Sequence, residues 1–139
     1  MFDRCLYFNT NRLSRTVGKV WNDAYKELGL APAHAYLLRL VLDQPGLSQK
    51  EIGETLHLEK STVTRFIDKM VEQDYLKRNY DSQPGIFPTT KSKKIHTRLN
   101  EIGNELYKNM QQSIGKDNLS QLVALSQLAS EKLQVSFKF

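Results

Sequence analysis

Residues 48–74 read SQKEIGETLHLEKSTVTRFIDKMVEQD, and the punctuation of this stretch decides the fold. Ser48 stands three residues before Glu51. That is the spacing of a capping box, in which each side chain satisfies the other residue's unpaired backbone N–H at the start of a helix. Ile52 and Leu56 give this helix its inner face, and only His57, Leu58 and Glu59 are left for a turn. Val63, Phe66, Ile67, Met70 and Val71 then recur at i, i+3, i+4, i+7 and i+8, the pattern of a second amphipathic helix beginning near Lys60. Its outward positions are Lys60, Ser61, Thr62, Thr64, Arg65, Asp68 and Lys69. Two helices joined by so short a turn, the second hydroxyl-rich and basic outside, make a candidate helix-turn-helix of the kind that fits the major groove of DNA.

On the N-terminal side, Leu13, Val17, Val20, Trp21, Ala24 and Leu28 recur at helical steps, which predicts one helix over residues 6–28 stopped by Gly29. Pro32 suits the first turn of the next helix, expected over residues 33–43 with Leu37, Leu40 and Val41 inward and a stop before Pro45-Gly46. On the C-terminal side, the turn cluster of residues 81–85 lies between two short extended runs, and a small β-hairpin is expected. Thr89 or Thr90 caps a long fifth helix carrying Ile95, Leu99, Ile102, Leu106, Met110 and Ile114; if anything interrupts it, Gly103 is the weak point. Asn118 and Gln121 have capping-box spacing before a last helix with Leu119, Leu122, Leu125, Ala129 and Leu133 on one side.

The 139 residues suffice for one domain with a real core. A net charge of +5 and a pI near 9.3 favour a polyanionic partner without proving one. Cys5 is the only cysteine, so no internal disulfide forms, and no leader or membrane-spanning run is evident; a soluble, cytoplasmic protein is expected. His34, His57 and His96 are scattered and no Gly-rich phosphate loop occurs, so no enzyme, metal or cofactor is read here.

The run Gly46-Leu47-Ser48-Gln49-Lys50-Glu51-Ile52-Gly53-Glu54-Thr55-Leu56, followed by Lys60-Ser61-Thr62-Val63-Thr64-Arg65 and Asp68-Lys69-Met70, resembles the multiple-antibiotic-resistance regulator (MarR) family of bacterial transcription factors. Pro88-Thr89-Thr90-Lys91 is similar to that family's step from wing to long helix. The resemblance implies a mainly α fold with a small β-hairpin wing, a winged helix-turn-helix over residues 30–94 flanked by dimerisation helices at 1–29 and 95–139. It also implies a homodimeric repressor, released from DNA by a small phenolic or aromatic anionic effector held between the dimerising helices and the DNA-binding core. Tyr7, Trp21, Tyr25, His34 and Tyr36 are the candidates for lining that space. Two departures stand out: the wing's usual Asp-x-Arg keeps Asp81 but no arginine occurs between Asn79 and Thr97, and Ser92 stands where a glycine usually closes the post-wing motif.

From the residues themselves, Lys60, Lys69 and Lys77 are expected to neutralise phosphates, a salt-sensitive contribution that carries no sequence information. Ser61 and Thr62 suit several base edges, Thr64 a methyl contact or a phosphate, and Arg65 a bidentate contact to guanine. Ser48 and Gln49 are placed to reach the DNA backbone. Arg78, with Lys77 at the base of the wing, or Lys91, Lys93 and Lys94 beyond it, is expected to replace the absent wing arginine. The apolar stripes of the first, fifth and last helices exceed what the helix-turn-helix can cover, which predicts a two-fold dimer and a pseudo-palindromic operator. Cys5, close to Tyr7, invites comparison with a peroxide-sensing branch of the family, but a lone thiol reads first as an ordinary one. The rival reading is a winged-helix protein-interaction module with weak or no DNA binding.

Overall fold

The computed structural model describes residues 1–139 as seven helices and one hairpin. They are α1 (Leu6–Tyr25), extended by a single 3₁₀ turn at Lys26–Leu28, α2 (Pro32–Asp43), α3 (Gln49–Leu56), α4 (Lys60–Glu72), β1 (Leu76–Asn79), β2 (Gly85–Pro88), α5 (Thr90–Lys94), α6 (His96–Ile114) and α7 (Lys116–Phe137). The chain forms two compact units, Met1–Ile102 and Gly103–Phe139, and the boundary falls inside α6.

In the first unit the expected helices end where their local chemistry stops them. Gly29 takes the left-handed conformation (φ 65°) after the 3₁₀ turn, and Pro32 occupies the first turn of α2. The inner face of α2 differs in detail from the sequence reading: Ala35, Leu37, Leu38, Val41 and Leu42 are buried, whereas Leu40 is only half-buried. Sequence spacing marks one apolar stripe, but α2 is contacted by α1, α3, β2 and α5, so its buried face is wider than one stripe. Ile52, Val63, Ile67, Met70, Leu76, Ile86, Leu99 and Ile102 complete this core, and each such side chain contributes about 1.5–3 kcal/mol by leaving water. Leu56, Phe66 and Val71, read as inward, are half-buried.

The hairpin pairs antiparallel in the register Leu76↔Pro88, Lys77↔Phe87, Arg78↔Ile86 and Asn79↔Gly85. It is anchored to the loop between α2 and α3: the Gly46 N–H donates to the Ile86 carbonyl at 2.8 Å, and the Ile86 N–H to the Leu47 carbonyl at 2.9 Å. Gly85 permits this approach. Its φ is 136°, and a Cβ there would stand 2.3 Å from the Gly46 carbonyl oxygen, so no other residue fits without moving the wing.

Two expectations about helix ends are corrected. The long fifth helix is two helices, and the break lies at Ile95 (φ −102°, ψ 4°) instead of Gly103, which α6 passes through unbroken. Thr89 caps α5 in a box with Ser92, the residue that stands for the usual glycine. The Thr89 N–H donates to Ser92 Oγ at 2.9 Å, and the Ser92 N–H to Thr89 Oγ1 at 3.3 Å. Ser92 is fully buried with both bonds made. In the second unit α7 opens at Lys116 after Gly115 (φ 98°), so the box expected at Asn118 and Gln121 does not form. Asn118 Nδ2 donates instead to the Ile114 carbonyl at 3.0 Å, capping the end of α6. No residue of α7 is buried, and Leu122, Val123, Leu125, Leu128, Leu133, Val135 and Phe137 are all exposed.

Candidate nucleic-acid interface

The capping box that opens α3 is present in both directions: the Glu51 N–H donates to Ser48 Oγ at 3.1 Å and the Ser48 N–H to Glu51 Oε1 at 3.4 Å. At the other end His57 adopts the left-handed conformation (φ 55°) and closes the helix, while the Leu58 N–H donates to the Gly53 carbonyl at 3.0 Å. Gly53 itself lies so close to the turn that a Cβ would meet the Leu58 carbonyl and the Val63 side chain at 3.3 Å each. This tight elbow lets α4 start at Lys60 directly across α3.

Buried Val63, Ile67 and Met70 fix the rotation of α4, and thereby what it presents. Lys60, Ser61, Arg65, Asp68 and Lys69 are exposed on its outer side, whereas Thr62 and Thr64 are half-buried. A shallow open groove runs along Glu59, Lys60, Ser61, Thr64, Arg65 and Asp68. The Arg65 guanidinium lies 5.5 Å from the Phe66 ring centre, a contact that steadies an otherwise exposed side chain. Lys77 is exposed on β1.

Three of the residues read as DNA contacts are bonded to one another. Arg78 Nε donates to Gln49 Oε1 at 3.1 Å, and Gln49 Nε2 donates to Thr64 Oγ1 at 3.1 Å. Arg78 also pairs with Asp68 on α4. Thr64 Oγ1 in turn donates to the Lys60 carbonyl at 3.0 Å. Asp68 was noted in the sequence only as an outward residue, and no spacing signal joins it to Arg78, ten positions away across the elbow of the wing. Among the lysines after the wing, Lys91 is also occupied: Nζ donates to the Gln73 carbonyl at 2.7 Å and lies 4.2 Å from the Tyr75 ring centre. Lys93 and Lys94 are exposed. The wing tip carries Tyr80, 85% exposed, and Asp81.

A second cluster forms between α1 and α2. Trp21 Nε1 donates to Tyr36 Oη at 2.8 Å, and Tyr25 meets Tyr36 edge to face at 6.2 Å. The Arg39 guanidinium sits 5.7 Å from the Tyr36 ring centre and Nε donates to Asn100 Oδ1 at 3.2 Å. Tyr25 is fully buried with no hydrogen-bond partner for its hydroxyl. Burial pushes its pKa up, Tyr36 adds to the rise, and the Arg39 charge opposes it. Arg39 was missed in the sequence reading; its place one helical turn after Tyr36 was the available signal. The other two aromatic candidates lie elsewhere. His34 stacks edge-on against Phe66 of α4 at 4.8 Å, and Tyr7 is 80% exposed at the start of α1. Burial and then the Lys69 charge hold the His34 pKa below its ordinary value.

Residues 28–84 match the model of the MarR family. The chain is similar to the HTH-type transcriptional regulator YybA of Bacillus subtilis (strain 168), 26% identical over 95 residues, covering 66% of this chain and 63% of that protein. It therefore spans less than two thirds of that relative's length. The fold is similar to that of PcaV from Streptomyces coelicolor, solved in complex with its natural ligand (TM-score 0.80, 20% identity, 94% of this chain and 95% of that one). It is also similar to MepR of S. aureus, solved as a DNA complex (TM-score 0.77, 17% identity, 96% and 98%). The chain thus resembles the MarR family in its central segment and carries the winged helix-turn-helix fold of such regulators along nearly all its length.

Proposed function

We propose that this MarR-type winged-helix chain is a sequence-specific DNA-binding transcriptional regulator, acting as a homodimeric repressor on a pseudo-palindromic operator. The observation that carries the reading is the outer face of α4, where Lys60, Ser61, Arg65 and Lys69 stand exposed on a helix locked at both ends, by the α3 elbow and by the wing. Arg65 is the base reader, through the bidentate geometry that a guanidinium offers to guanine, and Lys60, Lys69 and Lys77 neutralise phosphates. An isologous dimer presents two such helices to successive turns of the duplex, about 34 Å apart. The DNA complex of MepR supports this use of the fold.

Release by a small aromatic anion is the second part of the reading. It is supported by the Trp21–Tyr25–Tyr36 cluster with Arg39 beside it, a set of ring faces with one cation, and by the ligand-bound state of PcaV. An effector with higher affinity for the DNA-incompetent arrangement shifts the population by that difference in affinity.

The test is selection of bound duplexes from random DNA, followed by titrations against salt. Arg65→Ala is expected to relax base preference at one position of each half-site, by about 1–3 kcal/mol of discrimination. Lys69→Ala is expected to weaken binding to every sequence and to lower the slope of log affinity against log salt by about 0.9. If neither variant changes DNA affinity, the chain is a protein-interaction module instead.

A further inference from the structure

We infer that Arg78 is a positioning residue for DNA recognition: it masks the Asp68 carboxylate on the reading face of α4 and, through Gln49 and Thr64, fixes that helix against the start of α3. Granted the DNA-binding reading on which this role rests, Asp68 is a problem that the fold must solve. It lies one turn beyond Arg65 and two beyond Ser61, on the same outer side of α4, and its side chain is 60% exposed. A bare carboxylate there repels the phosphates that Lys60 and Lys69 attract. Arg78, from the wing strand β1, supplies the counter-charge at contact distance.

The remaining bonds give Arg78 a mechanical role as well. Thr64 has one hydroxyl proton, and it goes to the Lys60 carbonyl at 3.0 Å. The Gln49 amide must therefore donate to Thr64 and turn its carbonyl to Arg78, which donates to it at 3.1 Å. Donation runs in one direction from β1 to α3 to the first turn of α4. The Arg78 side chain is only 19% exposed, so most of its surface is committed to this clamp and little is left for a phosphate. Three separate elements are held by one guanidinium, which fixes the height and rotation of Arg65 and Ser61 above the groove they read.

A double-mutant cycle tests the role, with a duplex of about 30 base pairs selected by the wild-type protein from random DNA and a scrambled duplex beside it. Arg78→Ala is expected to weaken binding roughly tenfold, and adding Asp68→Asn to recover about threefold of that loss, the part due to the bare carboxylate, while the part due to the lost Gln49 clamp remains. Asp68→Asn then gains more in the Arg78→Ala background than in the wild type, and the salt slope stays the same throughout. Equal gains in both backgrounds, or a salt slope lowered by about 0.9 in Arg78→Ala, would make Arg78 a phosphate ligand and overturn the inference. Where Arg78→Ala does not fold, Arg78→Lys takes its place. A lysine keeps the charge but cannot hold Asp68 and Gln49 together, so a positioning role predicts lost affinity, and near-native affinity and slope overturn it. Wild-type protein that binds neither duplex defeats the DNA reading and this role together. Wild-type protein that binds, and responds to Arg65→Ala and Lys69→Ala while the cycle is additive, defeats this role alone.

Discussion

At the scale of single residues, His34 shows how a position read as a ligand contact can carry a folding equilibrium. Its ring packs edge-on against Phe66, and burial together with the nearby Lys69 charge disfavours the imidazolium, so the folded pKa lies below the usual 6.5. The unfolded chain therefore takes up the proton first. Stability present above pH 6.5 is lost as the pH falls from that value through the folded pKa. The urea midpoint of the wild type should drop between about pH 7.5 and about pH 5.5 more than that of His34→Gln. Equal drops in the two proteins would show that His34 titrates alike folded and unfolded. Because Phe66 also supports the Arg65 guanidinium, the same titration acts next to the residue proposed to read bases.

At the scale of elements, helix caps separate what local sequence dictates from what it leaves open. Ser48 and Glu51 make both bonds of their box, so Ser48→Ala should cost about 1 kcal/mol in urea-denaturation stability. Asn118 has similar spacing to Gln121 but makes a single exposed bond to the Ile114 carbonyl, and Asn118→Ala should cost less than about 0.5 kcal/mol. A cost equal to that of Ser48→Ala would place Asn118 in a true box after all. The break at Ile95 was hidden for a related reason. The apolar stripe starts at Ile95 itself and α5 (Thr90–Lys94) holds no apolar residue, so the pattern has no phase before the break for an interruption to disturb. What fixes α5 as a separate piece is its attachment to the end of α4. Thr89 Oγ1 donates to the Asp74 carbonyl at 2.6 Å, and Lys91 donates to that of Gln73.

At the scale of the whole molecule, the proposed homodimer accounts for the apolar surface that the chain leaves in water. The seven large apolar side chains exposed on α7 bring no stability to an isolated chain, and a second copy is the economical cover. If folding and association are linked, each tenfold rise in protein concentration should add about 1.4 kcal/mol per dimer and raise the melting temperature. A melting temperature independent of concentration, with a monomer by sedimentation, would refute the dimer. The helix-turn-helix, the hairpin, the order of elements apart from the break at Ile95, and the outward set on α4 apart from half-buried Thr62 and Thr64 were legible in the sequence. Periodicity, caps and turn residues act between neighbours a few positions apart, and their chemistry is local. The partners of the polar side chains were not legible. Gln49, Thr64 and Arg78 each read as a polar residue placed to meet DNA and Asp68 only as an outward one, and only the meeting of α3, α4 and β1 turned them on one another. Likewise Trp21, Tyr25 and Tyr36 came together with Arg39 while Tyr7 and His34 went elsewhere. Such contacts depend on the rotation of each helix about its axis and on where separate elements cross, which packing of the whole core decides and no short window of sequence contains.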